Sequence, residues 1–278
     1  MASIRNKIGE GVLYSSLGNL LIKIFAALGY FLVLRKLSLP DYGIFVLLTS
    51  VIGPAAAIVF LSIDRIFVSK YAQALAQQDW AFMKGLFKEY YVMSTALLVI
   101  LVIAGFFLRD LLTRFFDVYI IQFFWSTVAL VFSQFLMNQV SLFLESNEKF
   151  RQISFIQTSE SIARVVLIIA FSYTVGLSIN IVLLVYAVAK LTSVLVGLVS
   201  FIPLAFQLKK TPVVSEKGVL KQIVFTVGKW EIVRNIFEQF IQPVKYGLLK
   251  IFVNIEAVAI FDFAQNIYSF TGSLFPVS

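Results

Sequence analysis

The chain has no cysteine and no histidine. It therefore holds no disulfide, no thiolate or imidazole metal site, no Ser-His-Asp triad and no Cys-His nucleophile. Aspartate is scarce as well: Asp41, Asp64, Asp79, Asp110, Asp117 and Asp262 are the full set, and the closest two stand seven residues apart. An Asp-x-Asp or Asp-Asp-x-x-Asp cluster that would hold Mg²⁺ on a sugar or prenyl diphosphate is missing, which argues against a membrane transferase. Charge of either sign is thin, at 14% of residues.

What the chain has in abundance is apolar surface. Of its 278 residues 60% are hydrophobic and 15% aromatic, and the mean hydropathy is +0.91, too apolar for a water-soluble domain of this length. Apolar runs recur along the whole sequence, each long enough at about 1.5 Å per residue to cross a hydrocarbon core of about 30 Å. The expected fold is all-α, a polytopic transmembrane helix bundle of about seven to eight spans. Six are placed at 12–34, 42–63, 90–108, 118–144, 153–175 and 179–206. A more polar seventh helix is expected over 220–249, and an eighth from Ala257 into the C-terminus. Arg5 and Lys7 precede the first run as in a signal peptide, but no small-residue cleavage site follows, so it reads as an uncleaved span.

Lysine and arginine in the connections set the orientation. The N-terminus and the loops after spans two, four and six carry twelve of them, against Arg35, Lys36, Arg109 and Arg114 on the other side. The positive side stays cytoplasmic, so the N-terminus is expected inside. Between Lys70 and Glu89 basic and apolar residues alternate, which suits either a helix on an anionic lipid surface or a solvated connector.

A weak internal repeat is present at an offset of 216 residues. It aligns Leu39-Pro40-Asp41-Tyr42-Gly43-Ile44-Phe45 with Ile255-Glu256-Ala257-Val258-Ala259-Ile260-Phe261, Asn19 with Asn235, and Tyr30 with Tyr246. Transporters are commonly built from two related halves. The expected domains are a first bundle over 1–210, spans one to six, and the start of a second, parallel bundle over 211–278, spans seven and eight, incomplete. On that reading the chain is a fragment of a longer carrier, or a remnant.

The opening helix with Gly11, Ser15, Ser16, Gly18 and Asn19, followed by Leu34-Arg35-Lys36-Leu37-Ser38-Leu39-Pro40-Asp41-Tyr42-Gly43-Ile44-Phe45, resembles the first two spans of the polysaccharide (O-antigen, Wzx-type) flippases. These belong to the multidrug/oligosaccharidyl-lipid/polysaccharide exporter superfamily, whose members have twelve to fourteen spans. The specific part is Leu-x-x-x-(Asp/Glu)-Tyr-Gly-x-(Phe/Tyr), and the matching start of span eight departs from it with Ala259-Ile260 in place of Gly-Tyr. The resemblance implies flipping of an undecaprenyl-diphosphate-linked oligosaccharide to the outer leaflet of a bacterial inner membrane, for lipopolysaccharide or another surface glycan. The partners it implies are membrane lipids, the lipid-linked cargo and polysaccharide polymerase or assembly proteins, with no nucleic acid.

A diphosphate crossing hydrocarbon needs its charge compensated, and cations facing a hydrated cavity do this. The candidates for anion contact are Lys23, Arg164, Lys190 and Arg234. Ser16, Asn19, Lys23 and Tyr30 share one face of span one by their spacing, so Asn19 and Tyr30 are candidate cavity-lining groups, as is Gln242. Glu160 and Arg164 stand four apart and form a candidate ion pair; Lys190 has no carboxylate at i±3 or i±4 and needs a partner from another helix, from water or from a ligand. Span seven carries Glu231, Arg234, Glu238, Gln242 and Lys245 on one face, so it either lines an aqueous passage or lies on the membrane surface. Glu160, Glu231 and Glu238 are candidates for coupling to H⁺ or Na⁺. Pro54 in span two marks either a hinge or an ordinary irregularity. No catalytic residue, metal site or resident cofactor is expected. The alternatives are a multidrug/cation antiporter of the same superfamily, which would favour an acidic cavity, and a non-transporting membrane subunit of a polysaccharide assembly complex.

Overall fold

The computed structural model describes residues 2–61, 63–116, 120–210, 218, 220 and 229–274; within its helices the side chains of 2–17, Asn19 and Glu231, among others, lie outside that description. The described residues form an all-α fold: α1 (Ala2–Lys36), α2 (Leu39–Ser50), α3 (Ile52–Val59), α4 (Asp64–Gln77), α5 (Trp80–Phe116), α6 (Phe124–Ser146), α7 (Phe150–Thr174), α8 (Ile179–Lys210), α9 (Lys229–Phe252) and α10 (Ile255–Leu274), with a short 3₁₀ turn before α6. Among the described residues five stretches are long and apolar enough to cross a membrane: Leu39–Val59, Trp80–Leu111, Ile121–Ser146, Phe150–Thr174 and Ile179–Phe206. Of the other helices, α4 has 14 residues, and α1, α9 and α10, of 35, 24 and 20 residues, pack against these stretches.

Expected span two is two helices. Ser38 caps α2 by accepting a hydrogen bond from the Asp41 amide at 3.3 Å, and Pro40 occupies the first turn, where its missing N–H costs nothing. The break falls at Val51, between α2 and α3. Pro54 accounts for it, since it cannot donate to the carbonyl four residues earlier, at Ser50, and its ring crowds that carbonyl.

The segment between Lys70 and Glu89 is not one surface helix. The short α4 ends at Gln77, Gln78 takes a left-handed conformation (φ 57°), and α5 starts at Trp80, well before the expected 90. The apolar face of α4, with Phe67, Tyr71 and Ala74, is buried against Met83, Leu86 and Tyr90 of α5 and Phe143 of α6. Protein, rather than lipid, covers that face. Burying each of the two aromatics is worth roughly 1.5–3 kcal/mol, enough to fix α4 as a strut under the bundle.

Helices α6, α7 and α8 pack together, and α1 lies along α7. Gly197 brings α8 close to Val140 of α6 and Ile156 of α7, and Gly18 brings α1 onto Ser154. The pair α9–α10 meets this group through α2 and α3: α10 packs on α2, α9 on α2 and α3. At the end of the molecule where α1 turns into α2, one core joins Val33, Tyr42, Phe45, Leu130 and Ile168 to Tyr246, Val258 and Ala259. At the opposite end, where α3 gives way to α4, a second core of Phe60, Ile63, Phe67, Tyr90 and Phe143 takes in Leu220.

Candidate functional site

The two ends of the contact between the helix groups differ. At the α1–α2 end they are shut. The Tyr42 hydroxyl donates to Asp262 Oδ2 at 2.5 Å, the Tyr246 hydroxyl donates to Asp262 Oδ1 at 2.8 Å, and Asn266 Nδ2 donates to Oδ2 at 2.9 Å. Tyr42, 2% exposed, edges against Tyr30, whose ring stacks on Phe263. At the α3–α4 end the groups part. A cavity of ≈ 570 Å³ lies there between α3, α4, α6 and α9, its wall carrying Asp64, Arg65, Asn138, Arg234, Asn235, Glu238 and Gln239 beside Gly53, Ala57 and Phe60. That volume is in the range of a small organic ligand. Its charged lining is balanced, with two cations, two carboxylates and three carboxamides.

A third polar group lies inside the first helix group. Glu160 Oε1 is 3.6 Å from Arg164 Nη1 on its own helix and 3.8 Å from Lys190 Nζ on α8, and Glu160 is 7% exposed. The Arg164 guanidinium also lies over the ring of Tyr186, 5.0 Å from its centroid, a favourable cation–π arrangement. One acid thus serves two cations. The i,i+4 pair expected at Glu160 and Arg164 is present, and the interhelical carboxylate that Lys190 needs is the same Glu160.

The residues singled out in the sequence fall in different places. Arg234 and Glu238 line the cavity and face each other at 3.6 Å, both 60% exposed. Arg164, Lys190 and Glu160 form the buried triad instead of lining the cavity. Lys23 is half-buried on α1, with no ion-pair partner among the described residues. Tyr30 belongs to the Asp262 cluster. Gln242 is half-buried, and its Oε1 has no hydrogen-bond partner among the described residues. The side chains of Asn19 and Glu231 lie outside the described residues. No group of three or more carboxylates able to hold a metal occurs among the described residues.

Sequence reasoning passed over Asp262, Asp64, Arg65, Asn138 and Gln239. For Asp262 a signal was available, an acid set in the apolar run Ile260-Phe261-Asp262-Phe263-Ala264, which is costly in a membrane without a role.

Fold and site together define a multi-pass α-helical membrane protein with a polar cavity between two helix groups. The family model described as polysaccharide biosynthesis protein matches residues 8–277, and the chain belongs to that family. Its fold is similar to that of a solved chain named protein A, at a TM-score of 0.74 and 14% sequence identity, over 97% of this chain and 62% of that one. The chain thus spans 62% of the length of the solved structure it matches. No curated protein matches it.

Proposed function

We propose that the protein is a carrier rather than an enzyme, and that it moves a lipid-linked oligosaccharide, an undecaprenyl diphosphate glycan, from the cytoplasmic to the outer leaflet of a bacterial inner membrane by alternating access. The observation that carries this reading is the asymmetry of the contact between helix groups: shut around Asp262 at one end, open as a ≈ 570 Å³ polar cavity at the other. A carrier caught facing one side of the membrane has this shape. The excess of basic residues in the connections at the α3–α4 end supports a cytoplasmic position for the open side, where such cargo is made.

Within the cavity Arg65 and Arg234 are the groups for diphosphate oxygens, and Asn138, Asn235 and Gln239 offer paired donors and acceptors to sugar hydroxyls. Lys23, Arg164 and Lys190 belong to this reading as a deeper anion site: the triad carries one more positive charge than negative, and cargo phosphate that reached it would balance that charge. Coupling to H⁺ or Na⁺ through Glu238 or Glu160 is part of the same proposal, as is hand-over to a polymerase outside.

The test is flipping in vesicles. The protein is reconstituted with a fluorescent polyprenyl-diphosphate oligosaccharide, and exposure of the glycan to an added glycosidase is followed. The reading expects protein-dependent exposure that falls about tenfold or more in the double variant Arg65→Ala, Arg234→Ala, on the scale of about 1.4 kcal/mol per tenfold. Exposure no faster than in protein-free vesicles overturns it. A multidrug or cation exporter is the second reading, favoured by Asp64 and Glu238 in the cavity wall; cation-dye efflux abolished by Asp64→Asn, Glu238→Gln would establish it instead.

A further inference from the structure

The shut end holds a group that the transport reading leaves unused. Asp262 sits in α10, and among the described residues its carboxylate is met by neutral donors: Tyr42 from α2, Tyr246 from α9 and Asn266 from its own helix. No lysine or arginine pairs with it among the described residues. Among the described residues, the titratable groups that interact with it from the packed elements are phenols, namely Tyr30 on α1, Tyr42 on α2, Tyr186 on α8 and Tyr246 on α9. The Tyr30 hydroxyl is buried beside Tyr42 and Asn266 without a hydrogen bond of good geometry. The offset that aligns Tyr30 with Tyr246 sets Asp262 opposite Val46, which is buried and apolar. One carboxylate therefore serves both helix groups.

The cluster also lies where the groups come closest. Gly43, one residue after Tyr42, is against the Ile255 carbonyl at the start of α10, leaving no space for a β-carbon. A hydrogen bond from a phenol to a carboxylate is charge-assisted and about twice as strong as a neutral one, so the ionised form of Asp262 supplies two such bonds, one of them across the groups. A proton on Asp262 turns one of its oxygens from acceptor to donor and removes the charge that strengthens both bonds.

The geometry points to Asp262 as a proton-binding latch between the two helix groups: ionised, it clasps Tyr42 and Tyr246 and holds the α1–α2 end shut; protonated, it releases Tyr42 and lets that end part. The ligand is a proton taken up by one carboxyl, with no covalent step. This goes beyond the cargo reading, and the proton that works the latch is separate from any coupling ion at Glu160, Glu231 or Glu238.

The test is a distance measured across the latch in the full-length protein in lipid nanodiscs. The chain has no cysteine of its own, so Leu39→Cys and Val253→Cys, both at exposed positions at this end, accept spin labels for pulsed electron paramagnetic resonance. At about pH 8 a single narrow distance is expected; in acid, at about pH 3, a second population several ångströms longer. Asp262→Asn carries the longer population at both pH values. Tyr42→Phe carries part of it at pH 8, while Asp262→Glu and Glu238→Gln keep the wild-type response. A wild-type distance that ignores pH, or a pH response that survives in Asp262→Asn or disappears in Glu238→Gln, overturns the proposal. The measurement needs no cargo, so its failure leaves the transport reading standing, and the reverse holds too.

Discussion

Gly43 on α2 lies directly against the backbone carbonyl of Ile255 at the start of α10, and nothing larger than hydrogen fits between them. This contact, rather than any apolar side chain, sets how closely the two helix groups approach at their shut end. Gly43→Ala forces α2 and α10 apart at an expected cost of about 1–3 kcal/mol, the range for overpacking. Thermal unfolding of the detergent-solubilised protein should show a clearly lower midpoint. Gly272→Ala, where nothing lies within 4 Å, should leave the midpoint unchanged or slightly raise it. Equal effects would mean that the close approach is not what holds this end together.

The shared acid of the buried triad predicts an asymmetric mutational pattern. Glu160→Gln leaves Arg164 and Lys190 facing each other without their common partner, and removing one member of a buried ionic group costs about 3–5 kcal/mol. Lys190→Met leaves the Glu160–Arg164 pair at 3.6 Å intact and should cost less. The double variant Glu160→Gln, Lys190→Met should be more stable than Glu160→Gln alone. Midpoints measured for the three variants decide it; an additive result would show that Glu160 and Lys190 do not interact.

Glu89 of α5 reaches the chain between the helix groups: its carboxylate accepts the backbone amides of Gly218 and, at 2.8 Å, of Leu220. Leu220 is buried in the core under α4, so this acid pins the connection to the first group. Both bonds are at least partly solvent-exposed, which lowers their value toward about 1 kcal/mol each. Glu89→Ala should speed hydrogen exchange at the Gly218 and Leu220 amides by roughly five- to thirtyfold, the factor for one or two kcal/mol. Unchanged exchange would remove Glu89 as an anchor.

Asp64 stands at the start of α4 in the cavity wall and accepts the Tyr90 hydroxyl. Burial holds its carboxyl above the usual carboxylate range; the Tyr90 hydrogen bond works against this, and Glu145 adds to it. For an acid raised in the folded state, the stabilising contribution is complete below the unfolded value of about 3.9 and is lost as pH climbs through the folded one. Asp64→Asn keeps an acceptor for Tyr90 and never ionises. It should be more stable than wild type at about pH 7, with the gap closing near pH 4. A gap that does not change with pH would show that charge is not the cause.

Much of the fold is written in the sequence because a membrane-spanning helix has a strong local signature: length, apolarity and little charge. Glu160 and Arg164 were legible for the same reason, since i,i+4 spacing needs no tertiary knowledge. That Lys190 shares Glu160 was not, because it depends on how far α8 is slid along α7, and only packing at residues such as Gly197 fixes that register. The cavity wall was harder still. Asn138 and Gln239 are neutral, sit on α6 and α9, and carry no spacing that marks them as neighbours. Asp262 was missed for a different reason: a search for cations to meet phosphate does not look at a lone acid.

The break at Val51 divides the labour of a single membrane crossing. Its first piece, α2, bears on α10 and α9, while the second, α3, bears on α9 beside the open cavity. A continuous rod would transmit any tilt from one face of the membrane to the other, so that widening one mouth would pry at its opposite. On the alternating-access reading, the joint at Pro54 would let α2 stay clamped near Gly43 as a fulcrum while α3 moves as a separate short arm, giving the mouth beside Arg65 and Arg234 its own degree of freedom.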